Sequence, residues 1–379
     1  MRIKKCLLTI TTILCFSILS GCWNYREIED LVVVGGVAID KGKDGRIFLT
    51  VETIQMEAGA EHPTQSKSFT ISGKTIFDAV RNEIALTGKR LYWSHNKAVI
   101  ISQDIAKEGI LEILDWFHRD SETRADINIL VSKEKTAREI LLGEPAPKEI
   151  VSLALEEMLK NQKSLNKAPV VKIWKVINEI EASGIVTALP VVALQKRLPK
   201  MNGTAIFNKD KLIGFLDGEE TEAFLFVRDE IRGGLLVVGK EDDITSSQIS
   251  LEIFKSKTNL KPTINKADIK MNIHIDTTVT IDEINGKKNY MEERKKDLLE
   301  KSFEKIVSQR VEKVIKHVQS EYKVDIFGFG EKIREEDPQV WNQIKSSWEN
   351  KFQYLPVNVT SNVHIKGSGM LAEPLKRGD

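Results

Sequence analysis

The chain has 379 residues, with 56 Lys and Arg against 55 Asp and Glu, so it is close to neutral. No concentrated basic face is visible, which argues against nucleic acid or another polyanion as partner. No repeat of fixed period or low-complexity stretch occurs, and the length exceeds what one hydrophobic core usually organises, so more than one domain is expected.

The first element lies ahead of the fold. Met1-Arg2-Ile3-Lys4-Lys5 carries three cations and no acid, the pattern that holds a chain start on the cytoplasmic side of the translocation machinery. From Cys6 to Leu19 only Thr9, Thr11, Thr12 and Ser17 are polar, yet the run is shorter than the roughly 20 residues that span a bilayer. It ends in Leu19-Ser20-Gly21-Cys22, which resembles the lipobox of bacterial lipoproteins. Residues 1–21 are therefore expected to be a signal peptide, with Cys22 as the lipidated first residue of the exported chain. All three cysteines, Cys6, Cys15 and Cys22, lie at or before this junction. That leaves no thiol for a disulfide, a zinc site or a nucleophile. Lipoprotein processing attaches more than one acyl chain, enough for stable anchoring without a transmembrane helix.

Leu31–Ile39 and Ile47–Met56 read as paired strands across Lys41-Gly42-Lys43-Asp44-Gly45, with Ser66–Ile71 as a further strand. Ile76, Phe77, Val80, Ile84 and Leu86 fall near helical spacing, and Gly88 can close that helix. A buried strand at Lys97–Ser102 precedes a helix carrying Ile105, Ile110, Leu111, Ile113, Leu114 and Phe117. Ala125–Val131 alternates as a strand and leads to a helix over Lys135–Leu142. Gly143-Glu144-Pro145-Ala146-Pro147 breaks the pattern, since each proline removes an amide donor.

Helices are expected near 148–163 and 170–182, then a strand over Ile185–Leu194 interrupted at Pro190. A second break is read at Lys196-Arg197-Leu198-Pro199-Lys200. Gly203–Phe207 and Leu212–Leu216 form a hairpin around Asn208–Lys211, and strands follow at Gly234–Val238, Ser247–Phe254 and Ile269–Ile281. One helix is predicted over Asn289–Tyr322, about 50 Å long, its stripe of Met291, Leu298, Leu299, Phe303, Ile306, Val311, Val314, Ile315, Val318 and Tyr322 packing on a sheet of its own domain, with docking of a partner subunit by part of it as the alternative. The fold class is α+β, a mixed α/β multidomain protein with sheets packed by helices and one long C-terminal helix. The divisions are a signal peptide (1–21), an N-terminal α/β domain (22–142), a helical middle region with a strand (143–200) and a C-terminal α/β domain (201–379).

Signals of chemistry are weak. The six histidines, His62, His95, His118, His274, His317 and His364, lack metal-ligand spacing. Ser94 beside His95 suggests a nucleophile and base, but neighbours on a strand point to opposite faces. The glycines at Gly35-Gly36, Gly233-Gly234, Gly328-Phe329-Gly330 and Gly367-Ser368-Gly369 match no phosphate-binding fingerprint. Glu219-Glu220, with Asp217 and Glu222, reads as a solvated acidic turn. No catalytic, cofactor-binding or metal residue is assigned, and no enzyme or cofactor is expected.

Four segments together resemble the Ger(x)C family, the C-subunit lipoproteins of bacterial spore germinant receptors. These are Gly21-Cys22-Trp23-Asn24-Tyr25-Arg26-Glu27-Ile28; the stretch from His95 to Leu141; GTAIFNKDKLIGFLDGEETEAFLF, Gly203 to Phe226; and DIFGFGEKIREEDPQVW, Asp325 to Trp341, with Trp348 and the strand Val357–Ile365. The resemblance implies a non-enzymatic subunit at the outer face of the spore inner membrane. It would be held by N-terminal lipid beside polytopic A- and B-type subunits and be needed for the response to nutrient germinants. It transfers only Cys22 as a functional residue and leaves open whether this subunit binds a germinant. The alternatives are a solute-binding lipoprotein of a transporter and a lipid-anchored wall hydrolase.

Overall fold

The structure is a computed structural model that describes residues 3–5, 31–56, 64–145, 150–182, 184–238, 248–265, 268–285 and 293–368. In chain order the first half comprises β1 (Leu31–Lys41), β2 (Ile47–Met56), β3 (Thr64–Gly73), α1 (Ile76–Thr87), β4 (Arg90–Tyr92), β5 (Ala98–Ile101), α2 (Gln103–Glu108), α3 (Leu111–Arg119), β6 (Asn128–Ser132), α4 (Ala137–Leu141), α5 (Val151–Lys160) and α6 (Ile173–Glu181). There follow β7 (Ala188–Gln195), β8 (Leu198–Asn208), β9 (Lys211–Leu216), α7 (Gly218–Val227), β10 (Gly234–Val238), β11 (Gln248–Asn265), β12 (Asp268–Asn285), α8 (Glu293–His317), α9 (Phe329–Glu336), α10 (Pro338–Ile344), α11 (Trp348–Gln353) and β13 (Val357–Ser368). The mixed α/β class expected from the sequence is the one observed.

Among the described residues, nine strands form one sheet in the order β3-β2-β1-β5-β6-β7-β8-β9, with β4 pairing β1. The central strands β1, β5, β6 and β7 are parallel, and antiparallel pairs flank them on both sides. Parallel neighbours need crossover connections, here helical, which cover both faces of the sheet. That is why β5 and β6 are buried at every position. Successive side chains alternate between two cores. Val37, Ile39, Val99, Ile101, Ile129 and Val131 meet α1, α3 and α6, whereas Ala38, Ala98, Ile100 and Leu130 meet α4 and α5.

Two carboxylates on these strands cap helices almost 100 residues away. Asp40 at the end of β1 accepts the N–H groups of Ala137 (2.7 Å) and Arg138 (3.0 Å) at the start of α4. Glu52 on β2, 1% exposed, accepts those of Val151 (2.9 Å) and Ser152 (2.8 Å) at the start of α5. A negative charge placed there satisfies orphan amides and complements the helix dipole. The close seat of α5 also explains Gly36, where a Cβ would lie 2.6 Å from that of Ser152.

The break read at Lys196–Lys200 is instead a tight hairpin between β7 and β8. Lys196 and Arg197 both have positive φ, 52° and 68°, which a two-residue hairpin turn of this hand requires. The turn lacks the Asn-Gly signal, so sequence alone left it unseen.

The second sheet runs β10-β11-β12-β13. β11 and β12 are each 18 residues long, well beyond the strands read at Ser247–Phe254 and Ile269–Ile281. Pro262 and the polar residues around it hid the extension. β10 pairs β11 from Ile249 to Ile253, so among the described residues no strand pairs that side of the distal part of β11, which tolerates proline there. Helix α8 covers one face, with Leu299, Phe303, Ile306, Val311, Val314 and Ile315 in the core. The predicted stripe packs on its own sheet, but Leu298 is 63% exposed and Met291 lies outside the described residues. The α-helix ends at His317, and Val318–Tyr322 form a π-helical turn that Lys323 closes at φ 62°. At 1.5 Å per residue α8 is about 38 Å long.

Helix α8 also closes the outer edge of the sheet. Glu304 Oε1 accepts the Val363 N–H (3.2 Å) and Glu300 Oε1 that of Ile365 (2.7 Å). Residues four apart on a helix rise about 6 Å and residues two apart on a strand about 6.7 Å. The two carboxylates therefore keep step with every second amide of β13.

Candidate functional site

The densest polar arrangement lies where the two sheets meet, in Asp325-Ile326-Phe327-Gly328-Phe329-Gly330. Asp325 is 3% exposed. Its Oδ1 accepts the N–H groups of Phe327 (3.1 Å), Gly328 (3.0 Å) and Phe329 (3.2 Å). Its Oδ2 accepts Gly330 N–H (2.7 Å) and the Trp348 indole N–H (3.1 Å). Gly328 takes φ 83° to wrap the backbone around the carboxylate. A Cβ on Gly330 would lie 2.7 Å from the Trp348 indole nitrogen. The intervening aromatics form the adjoining core, with Phe327 and Phe329 stacked at 5.2 Å and Trp341 against Trp348 at 5.6 Å. Burial pushes the Asp325 carboxyl up to about 6, against the pull of its donors.

This loop is tied to the strand that re-enters the first sheet. Val186 N–H bonds the Asp325 carbonyl (3.0 Å) and Glu331 N–H that of Gly184 (3.1 Å). Beside it, Arg228 after α7 reaches Glu179 of α6 (2.9 Å), Glu230 (3.5 Å) and the Ile326 carbonyl (3.3 Å). Lys175 also pairs with Glu230 (2.8 Å). Burial disfavours a charged Glu230, but Arg228 and Lys175 outweigh it and hold the carboxyl below its usual range. Lys167 pairs with Glu222 (2.7 Å), whose carboxyl burial pushes up. Tyr322 donates to the Phe215 carbonyl (2.9 Å) and His317 contacts Glu220 (2.6 Å). These contacts fasten α6 to the end of α7, and β9 and the start of α7 to the end of α8 and the turn after it.

The acidic turn read at Glu219-Glu220 is a correction. Asp217 caps α7 by accepting the N–H groups of Glu219 (2.8 Å) and Glu220 (2.9 Å), and Glu220 reaches back to the Asp217 N–H (3.1 Å). Glu222 is 4% exposed. Asp217 and Glu219 are solvated as expected, but the stretch is the capped start of a helix and not a turn, with the spacing of a capping box.

Cys22 and His62 lie outside the described residues. Trp93–His95 form a short 3-10 turn, not a strand. Ser94 there donates to the Glu122 carbonyl (2.9 Å), while the His95 ring lies 5.7 Å from that of Tyr92. His118 is exposed on α3, His274 bonds Thr360 Oγ1 (2.9 Å) on the second sheet, and His364 lies 3.4 Å from Glu300. Among the described residues, no group of three or more His, Cys, Asp or Glu could hold a metal ion.

Asp325 was missed as a structural centre, although alternating Gly and Phe after an acid was a usable signal. An open cleft of about 790 Å³ lies beside it, between the β11–β12 end and α11, lined in part by Thr263, Lys270, Trp348, Lys351 and Tyr354. Among the described residues, no helix is long and apolar enough to cross a membrane.

Two germination-family descriptions match in succession: "Spore germination protein N-terminal domain" over residues 24–194 and "Spore germination B3/ GerAC like, C-terminal" over residues 202–369. The chain belongs to the GerAC-like family of spore germination proteins. It is 28% identical to spore germination protein YndF of Bacillus subtilis (strain 168) over 92% of this chain and 93% of that protein. It is 22% identical to spore germination protein KC of the same organism, over 99% and 98% of the two. In fold it is similar to the crystal structure of the GerBC protein, with a TM-score of 0.58 and 23% identity, covering 87% of this chain and 97% of that one. As a GerAC-like protein it falls among germinant receptor subunits, which are not a known enzyme family.

Proposed function

We propose that this GerAC-like chain is a lipid-anchored, non-enzymatic subunit of a spore germinant receptor. It is attached through Cys22 to the outer face of the spore inner membrane and works beside integral A- and B-type subunits in the response to nutrients. The observation that carries this reading is the succession of the two germination-family regions, residues 24–194 and 202–369, directly behind Leu19-Ser20-Gly21-Cys22. A lipid anchor concentrates the folded part at the membrane, so modest contacts suffice to hold it in a complex. The joint at Asp325 and Arg228 supports a scaffold role, because its buried charges are matched by amide donors and opposite charges.

The test is co-isolation from spore membranes, with an intact mass of the N-terminal peptide. The expected results are recovery of integral germination proteins with this chain and a diacylglyceryl group on Cys22. Recovery of the chain without any integral germination protein would end the receptor reading. A Cys22→Ala variant that remained fully membrane-bound and supported a normal nutrient response would end the anchoring reading.

A further inference from the structure

The first sheet begins at Leu31, and β4 runs parallel to the first residues of β1, with Leu31 opposite Arg90. Helix α1 leads into β4, so its last turn lies at this same end of the sheet. Strand β6 is parallel to β5 and β5 to β1, so the segment before β6 starts here too. Trp174 is held at that place by its N–H bond to the Ala125 carbonyl (3.1 Å).

This end carries apolar side chains that the fold leaves uncovered. Leu86 is 70% exposed, Trp174 49% and Ile84 36%. Lys89 and Arg90 follow directly after α1. Acids share the rim: Asp120 Oδ1 accepts the Glu122 N–H (2.8 Å), Asp126 pairs with Arg124 (2.9 Å), and Glu122 lines the same hollow as Ile84 and Arg90. Large apolar groups beside cations are the composition of a surface that rests on anionic lipid, with tryptophan at headgroup level.

Resting on the proposed anchor at Cys22, we infer that this end of the first sheet faces the bilayer, with Leu86, Ile84 and Trp174 in the interfacial layer and Lys89 and Arg90 against anionic headgroups. Residues 22–30 separate Cys22 from Leu31, and nine residues reach at most about 30 Å. Such a tether keeps this end, where the chain emerges, within reach of the membrane. The lipid supplies attachment and the patch supplies orientation.

Lipidation would consume the Cys22 thiol, so one introduced cysteine provides a unique label. The lipidated protein, carrying Leu86→Cys, Trp174→Cys or Phe254→Cys with an environment-sensitive fluorophore, is bound to phosphatidylglycerol vesicles containing brominated acyl chains. Quenching is expected at positions 86 and 174 and not at 254, an exposed position on the second sheet. Quenching at 254 alone, or at none of the three, overturns the inference. A second arm uses residues 22–379 with Cys22→Ala, which has no lipid. That chain should associate weakly with phosphatidylglycerol vesicles and not with phosphatidylcholine vesicles. Arg90→Gln should lower the association about fivefold, the equivalent of about 1 kcal/mol per surface cation. Leu86→Glu should abolish it, with an unchanged circular dichroism spectrum. Equal association of the Leu86→Glu and parent chains overturns the inference whatever becomes of the anchor. Protection of 86 and 174 by an integral receptor protein, without lipid quenching, overturns it in favour of a protein contact.

Discussion

The two sheets solve the problem of burying backbone in opposite ways. The first sandwiches parallel strands between helices, so β5 and β6 are buried at every position, the polar ends of β6 at Asn128 and Ser132 included. The second covers one face only, so β11 alternates buried and exposed positions over 18 residues. Each also uses carboxylates differently. In the first, Asp40 and Glu52 leave the sheet to cap helices; in the second, Glu300 and Glu304 leave a helix to cap a strand edge. Between them stands Asp325, which serves neither sheet alone. Acids here are structural wherever a row of amides would otherwise be buried unpaired.

The largest effect should come at the joint. Asp325→Ala leaves five N–H donors without an acceptor, and denaturant unfolding should show a loss of about 4 kcal/mol or more, concentrated in the second sheet. The same carboxyl sets a pH test. Its folded value of about 6 lies above the ordinary 3.8, so the folded state binds the proton more tightly. Its stabilising contribution is full below about pH 4 and lost as pH rises through 6, by up to about 3 kcal/mol. Asp325→Asn should remove that slope; an identical pH profile in the parent and variant would mean that the amide donors outweigh burial.

Arg228→Met strands Glu179 in a buried setting, leaves Glu230 to Lys175 alone, and should cost about 3 kcal/mol. Calorimetry should then resolve two transitions where the parent shows one, because the halves lose a shared fastening. Glu52→Gln, confined to the first sheet, should cost about 1–2 kcal/mol by weakening the cap of α5. Hydrogen exchange should quicken in α5 and leave β11 and β12 unchanged. The smallest change in stability should come from Glu300→Ala with Glu304→Ala, under about 1 kcal/mol. This pair opens the edge of β13, so sedimentation should show self-association absent from the parent.

Legibility followed the same division. The strand and helix alternation through residue 142 could be read because two-sided burial writes continuous apolar runs flanked by amphipathic helices. The hairpin at Lys196-Arg197 could not, since its positive φ values occur without glycine or asparagine. The far halves of β11 and β12 were lost because one-sided strands carry Lys, Asn and Pro at exposed or unpaired positions. The acids at Asp217, Glu219 and Glu220 had capping-box spacing and were still read as a solvated turn. Leu298 fitted the helical period and is nonetheless exposed, since period gives a face but not the edge of the neighbour that covers it.

By itself the sequence determined the mixed α/β class, the packing of the long helix on its own sheet and the membership in a germination family, all carried by local periodicity and contiguous motifs. Only the tertiary structure decided which carboxylate serves which amide. Asp40 with Ala137, Glu52 with Val151, Glu300 with Ile365 and Asp325 with Trp348 are partners across 97, 99, 65 and 23 positions. A hydrogen bond depends on distance and direction in space, and no local pattern encodes where a remote amide will be left unpaired.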